Sequence, residues 1–168
     1  MADGPTEVGR GVSALLAAKY RGDEAEVERL LGEAPALDIF EAAALGRRAR
    51  VEELVTGAPE LARSWSTDGF TAIHLAVFFG HPEIARDLLG AGADPGAVSR
   101  NTLQVQPLHS AVAARDLEAS RLLLEAGADP DAVQQDGFTP LDAAIQNRDE
   151  AIEALLRERG ATARSLPG

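Results

Sequence analysis

Three histidines, His74, His81 and His109, are the only side chains in this chain whose ordinary pKa lets them trade protons near neutral pH. Proton transfer or nucleophilic catalysis needs such a group to converge with an acid or a hydroxyl in a recognised arrangement. His109-Ser110 is adjacency along the chain only, and Ser64 and Ser66 have no histidine and acid in such an arrangement. Asp94 and Asp129 recur 35 residues apart and offer too few oxygens for a hard cation. The cysteine count is zero, which removes disulfides, thiolate metal sites and cysteine nucleophiles together. No phosphate-cradling glycine loop of the P-loop or dinucleotide type is present. No catalytic residue, metal ligand or cofactor is therefore expected, and the chain reads as a non-enzyme.

Charge bounds what such a protein could recognise. The net charge is −11 over 168 residues, a field that repels nucleic-acid phosphates and anionic lipid headgroups. Arg47, Arg48 and Arg50 concentrate positive charge, but Glu52 and Glu53 follow on the same predicted helix, so the run reads as a solvated face. No segment approaches the roughly 18 apolar residues of a membrane span. Met1 to Ser13 carries Asp3, Gly4, Pro5 and Glu7 where a signal peptide would need an apolar run. A hydrophobic content of 45% is ample for one soluble domain. Cytoplasmic location, a monomeric state and no nucleic-acid or membrane partner are expected.

The elements that would position a site repeat along the chain. Ala72, Pro107 and Pro140 step by 35 and 33 residues, and Gly92, Gly127 and Gly160 step by the same intervals. Such a period marks stacked units. Aligning the mid-unit turns places Gly22, Gly46, Gly80, Arg115 and Arg148 in register and counts five units. Apolar pairs follow each turn, from Leu30-Leu31 to Leu123-Leu124; the last unit keeps Leu156 beside the polar Arg157, as suits an end on which nothing stacks. Thr71 and Asp149 are suited to cap helices, Asp23 and Glu26 have capping-box spacing, and Pro82 suits a first helical turn. Gly92-Ala-Asp-Pro95 closes a second helix, and Ser66-Thr-Asp-Gly69 and Gln134-Gln-Asp-Gly137 suit hairpin tips.

The Asp-Gly-Phe-Thr-Ala-Ile-His-Leu-Ala line from Asp68 to Ala76, the Gly80-His81 turn and the Leu-Leu-x-x-Gly-Ala-Asp close resemble the ankyrin repeat. The resemblance covers about Ser13 to Thr162, is strongest over Phe70 to Ala97 and weakest before Ser66, so the first two of five repeats are atypical. It implies a mostly α fold, a repeat solenoid of antiparallel helix pairs with projecting β-hairpin loops. The units fall near 13–36, 37–65, 66–98, 99–133 and 134–162, between flexible ends at 1–12 and 163–168. The 24 residues from Gly22 to Gly46 leave no room for a hairpin, and the two extra residues between Gly92 and Gly127 are expected in the Ser99 to Val105 finger. Ala72, Gln106 and Asp142 depart from the usual proline, threonine and histidine. At the repeated histidine position the resemblance implies that His74 and His109 link the helix cap to neighbouring loops.

The resemblance also implies a protein–protein interaction module that binds its partner on the concave face of hairpin tips and first helices. Carried over residue by residue, that face takes Trp65, Thr67, Asp68 and Phe70 at the hairpin of the third unit, and Phe78 and Phe79 at the end of its first helix. Neighbouring units add Tyr20, Ala44, Ala113 and Gln146 on the helix row, with Leu103, Val105, Asp136 and Phe138 on the hairpin row. Four of the seven aromatic residues, Trp65, Phe70, Phe78 and Phe79, fall at this hairpin and helix end. Half exposed, they would offer about 300–500 Å² of apolar patch. Packing against adjacent hairpins competes with exposure for Phe70 and Phe138, and packing into the stack competes for Phe79. The carboxylates of Asp68 and Asp136 would favour a basic partner. A regulatory or inhibitory subunit of an enzyme would use the same surface, and self-association through the atypical first unit is a further alternative.

Overall fold

The computed structural model describes residues 12–163, so the ends expected to be flexible lie outside the described residues apart from Val12 and Ala163. At the turn of each unit the backbone passes through left-handed space: φ is 67° at Gly22, 69° at Gly46, 79° at Gly80, 58° at Arg115 and 54° at Arg148. The residue after each turn donates its N–H back to the first helix, as His81 does to the Ala76 carbonyl at 2.8 Å. This geometry is free for glycine and costs an L-residue about 1–2 kcal/mol. Arg148 is exposed and makes no ion pair among the described residues. Arg148→Gly is therefore expected to stabilise the protein by about 0.5–1 kcal/mol in urea unfolding, the glycine's added unfolded-state entropy offsetting part of the relief.

These turns divide ten helices into five antiparallel pairs: α1 (Ala14–Arg21) with α2 (Glu24–Gly32), α3 (Ile39–Ala44) with α4 (Arg48–Gly57), α5 (Ala72–Phe78) with α6 (Pro82–Gly90), α7 (Pro107–Ala113) with α8 (Leu117–Glu125), and α9 (Pro140–Gln146) with α10 (Glu150–Glu158). The odd-numbered helices pack in one row, each on the next, and α4, α6, α8 and α10 form the second row. Ile39, Ile73, Leu108 and Leu141 bury the first row while Val51, Ile84, Leu88, Leu123, Ile152 and Leu156 bury the second, in one continuous core. The first pair is held by its own smaller cluster of Leu15, Ala18 and Val27. Glu33 to Asp38 carries the chain directly into the second pair with no finger between them. A 3-10 turn at Pro59–Arg63, unforeseen in the sequence, follows α4.

Helix ends follow the residues expected of them, with one variation. Asp149 accepts from the Ile152 N–H at 3.1 Å, and Asp23 accepts from Glu26 N–H at 3.1 Å. Glu26 does not return the bond, because its carboxylate is held by Arg29 at 2.7 Å and 2.9 Å. Gly92, Gly127 and Gly160, at φ 97°, 97° and 92°, end the second helices. The next N–H of each reaches back five residues, Ala93 to Leu88 at 2.9 Å being the first. Asp94 and Asp129, weighed above as cation ligands, instead accept from the N–H two residues on, Gly96 and Asp131, at 2.8 Å and 2.9 Å.

The hairpins project as fingers with almost no two-strand ladder. Among the described residues there is no strand and one isolated antiparallel bridge, Trp65 to Thr71. Single backbone bonds close the fingers, Ser66 N–H to Phe70 O at 2.8 Å, Ser99 to Val105 at 2.7 Å and Gln134 to Phe138 at 3.0 Å. The middle finger is two residues longer than its neighbours, as the unit spacing requires. Further bonds run sideways from finger to finger: Arg100 N–H to Gly69 O at 2.8 Å, the Asn101 side-chain amide to Asp68 O at 3.0 Å, and Gln135 N–H to Leu103 O at 3.3 Å. The fingers thus form a rack whose spacing is set by the stack.

Candidate functional site

The repeated histidines tie the helix row to that rack. His74, at the start of α5, donates from Nε2 to the Val105 carbonyl of the next finger at 3.0 Å. That carbonyl can only accept, so the proton sits on Nε2, and Nδ1 accepts from the Thr71 hydroxyl at 2.8 Å and the Thr71 N–H at 3.3 Å. His109 repeats the device on Gln106 N–H at 3.2 Å and Phe138 O at 3.4 Å. In the last unit Asp142 takes the place of histidine and caps Thr139 N–H at 2.9 Å. Among the described residues no further finger stands beyond it for a second ring nitrogen to reach. His81 does a similar job between turns, its Nε2 donating to Ala44 O at 3.3 Å.

Burial withdraws water from the imidazolium and pushes His74 down to about 4; the bond to Val105 opposes this without overcoming it. Burial lowers His109 in the same direction. Both rings are neutral at pH 7. His109 uses both nitrogens on backbone groups, so it has no lone pair with which to activate the neighbouring Ser110 hydroxyl.

Between the helix row and the rack lies a half-open groove of about 540 Å³, within the size range of ligand sites. Its floor comes from α5 and α7 through His74, Leu75 and Phe78, and His109, Ser110 and Ala113. The fingers supply Asp68, Phe70, Leu103, Val105 and Gln134, and Val12 and Tyr20 close the end at the first unit. Phe78 is 46% exposed and Leu103 54%, the two most open apolar side chains of the groove. They stay open because Phe78 stands at the last turn of α5 and Leu103 at the tip of the long finger, beyond the reach of the stacked core.

Tyr20 makes the longest reach in the site. Its hydroxyl donates to Asp68 Oδ2 at 2.7 Å across 48 residues of chain, and the Ser66 hydroxyl donates to Oδ1 of the same carboxylate. Burial, followed by that bond and by the charge of Asp68, raises the phenol above its ordinary value, so it remains a donor. Its ring lies 5.8 Å from that of Phe79, which in turn meets Phe78 edge-on at 5.1 Å and Lys19 at 5.6 Å.

Of the residues expected on the partner face, Tyr20, Asp68, Phe70, Phe78, Leu103, Val105 and Ala113 come together in this groove. Phe70 is half-buried, packed beside the Leu16, Ala44 and Leu75 cluster while one side faces the groove. Phe79 belongs to the same cluster and does not line the groove. Trp65 is half-buried under the Arg100 guanidinium, 4.3 Å from its ring, and stands apart from the groove, as do the exposed Thr67 and Gln146. Ala44, placed on the exposed helix row from its register, is fully buried because Leu16 of α1 packs on it from one side and Leu75, Phe70 and Phe79 of the third unit from the other. Val12, Gln134 and the histidine edges were not foreseen in the groove. The histidines carried one signal, since an inter-unit bridge must lie where helices meet fingers. The Arg47–Arg50 run is spent on structure: Arg48 pairs with Asp87 at 2.6 Å, and Arg50 with Glu53 at 2.8 Å and Leu37 O at 3.0 Å.

Comparison with known families gives two matches. Residues 68–100 match the model described as ankyrin repeat, and residues 93–165 match the one described as ankyrin repeats in three copies. Together they span 68–165, more than half of the chain, and they begin where the register of the sequence becomes regular. No curated protein matches the chain. No helix among the described residues is long and apolar enough to cross a membrane.

Proposed function

Since the chain belongs to the ankyrin repeat family, whose repeats generally serve as protein–protein interaction modules and are typically non-catalytic, we propose that this protein is a binding module that seats a protein partner in the groove between its inner helices and its fingers. The observation that carries this reading is the continuous apolar lining in which Phe78 and Leu103 stand half-exposed on a scaffold already held by its own hydrogen bonds. A preorganised groove loses little entropy when it is filled, so most of the apolar burial appears as affinity. Catalysis is outside this reading, because the groove's histidines have both ring nitrogens committed. The absence of cysteine supports a reducing compartment such as the cytoplasm.

Affinity capture from the native cell tests this with Phe78→Asp set against Ile145→Asp, a position 43% exposed and outside the groove. Phe78→Asp is expected to deplete the specific partner about tenfold or more, with helical circular dichroism unchanged, while Ile145→Asp retains it. Equal recovery with both variants would place binding elsewhere.

A further inference from the structure

We propose that the groove selects an extended partner segment in which an apolar side chain lies next to a lysine or arginine, the apolar group seated against Phe78 and Leu103 and the cation held by Asp68. The inference rests on the groove being the partner's seat and adds the chemistry that it selects. Asp68 is the one carboxylate lining the groove, and the two histidines there are neutral. Its oxygens receive only uncharged donors, the hydroxyls of Tyr20 and Ser66, and it makes no salt bridge among the described residues. A carboxylate accepts about four hydrogen bonds, so acceptor capacity remains. Among the described residues no cation pairs with Asp68: Lys19 pairs with Glu24 at 3.0 Å, Arg100 lies over the Trp65 ring at 4.3 Å, and Arg63 donates to the Gly92 carbonyl at 2.8 Å.

Tyr20 and Ser66 therefore hold, in fixed orientation at the wall of an apolar groove, an anion that makes no ion pair among the described residues, in a chain of net charge −11. A guanidinium or ammonium is the group that completes it. The groove runs from Tyr20 in the first helix pair to Gln134 in the finger before the fifth, and it is half-open to solvent, so an extended chain can be laid along it from outside. That shape favours an extended polypeptide over a compact amine. Asp136, exposed on the last finger, continues the negative rim along the same line.

Panning a random dodecamer peptide library against the immobilised full-length protein tests the inference. Enriched peptides are expected to carry Lys or Arg within two residues of a large apolar residue. The best of them, synthesised with a fluorophore, should bind Asp68→Asn about fivefold to tenfold more weakly. Replacing its cation with glutamine should cost the same on the native protein and little more on Asp68→Asn. Tyr20→Phe, which removes the hydroxyl but keeps the carboxylate, should retain the preference for a cation, separating charge recognition from loss of fold. Enrichment of apolar peptides without a cation, lost on Phe78→Asp but indifferent to Asp68→Asn, would overturn this inference and leave the groove as a docking site. No enrichment, or enrichment indifferent to Phe78→Asp, would remove both.

Discussion

Acidification from pH 7 to about 4 is expected to remove about 3 kcal/mol of stability through His74 alone. Its folded-state value of about 4 lies below the ordinary 6.5, and a difference of that size corresponds to about 1.4 kcal/mol per pH unit across the gap. Between those values the unfolded chain binds a proton that the folded chain refuses, so stability falls as pH falls. The contribution is fully present above pH 6.5 and is lost as pH drops through the folded value. His109, lowered by the same burial, acts with the same sign. Protonation also strikes at architecture, because Nδ1 must then give up the two bonds it accepts from Thr71. Urea unfolding of the native protein and of His74→Gln at several pH values isolates the effect, since the shared carboxylate titrations cancel in the difference. The variant should lose about 1.4 kcal/mol per unit of slope between pH 6.5 and about 4; identical slopes would refute the assignment.

The second large effect is expected at Gly69, which does not itself line the groove but sets the finger spacing. Its φ is 85°, and a Cβ there would stand 2.7 Å from the Arg100 carbonyl carbon and 2.8 Å from its oxygen. Backbone cannot swing aside as a side chain does. Gly69→Ala must therefore separate two fingers and break Arg100 N–H to Gly69 O, and the Asn101 bond to Asp68 O goes with it. Backbone strain and the lost bonds together come to about 2–4 kcal/mol. Gly127→Ala is the control: φ is 97° but nothing lies within 4 Å of the added carbon, so only the strain of about 1–2 kcal/mol applies. Chemical denaturation should rank the two in that order, and Gly69→Ala should also weaken partner binding because Asp68 and Leu103 sit on the fingers that it separates.

The sequence made the architecture legible wherever a residue type answers a local backbone demand. The turn register from Gly22 to Arg148 could be aligned because each position requires left-handed φ, and the extra length of the Ser99–Val105 finger followed from unit spacing. Asp142 in place of histidine looked like a departure, and geometry shows it keeping the cap on Thr139 N–H that the histidines supply in the units before it. What could not be read locally was which exposed-looking residue would be covered. Trp65 carries the composition of a binding hot spot, but its cover, Arg100, comes from the next finger 35 residues away. Ala44 sits at the register of an exposed row and is closed over by Leu16 of α1 and by Leu75, Phe70 and Phe79 of the third unit. The Tyr20 to Asp68 bond skips an entire unit, so no periodicity announces it. Seven of the fourteen residues placed on the partner face nonetheless share one groove, since Tyr20, Asp68, Phe70, Phe78, Leu103, Val105 and Ala113 occupy repeat positions whose direction the stack enforces.

The central claim, that a partner lies in this groove, is tested most directly by a photo-crosslinking residue placed in the native cell at Leu103 and, separately, at Val98. The two are similarly exposed, at 54% and 46%, but only Leu103 lines the groove. The account predicts a discrete adduct from position 103 that disappears when Phe78→Asp is added, and none from position 98. An adduct from position 98 instead, or one at 103 that survives Phe78→Asp, would contradict it.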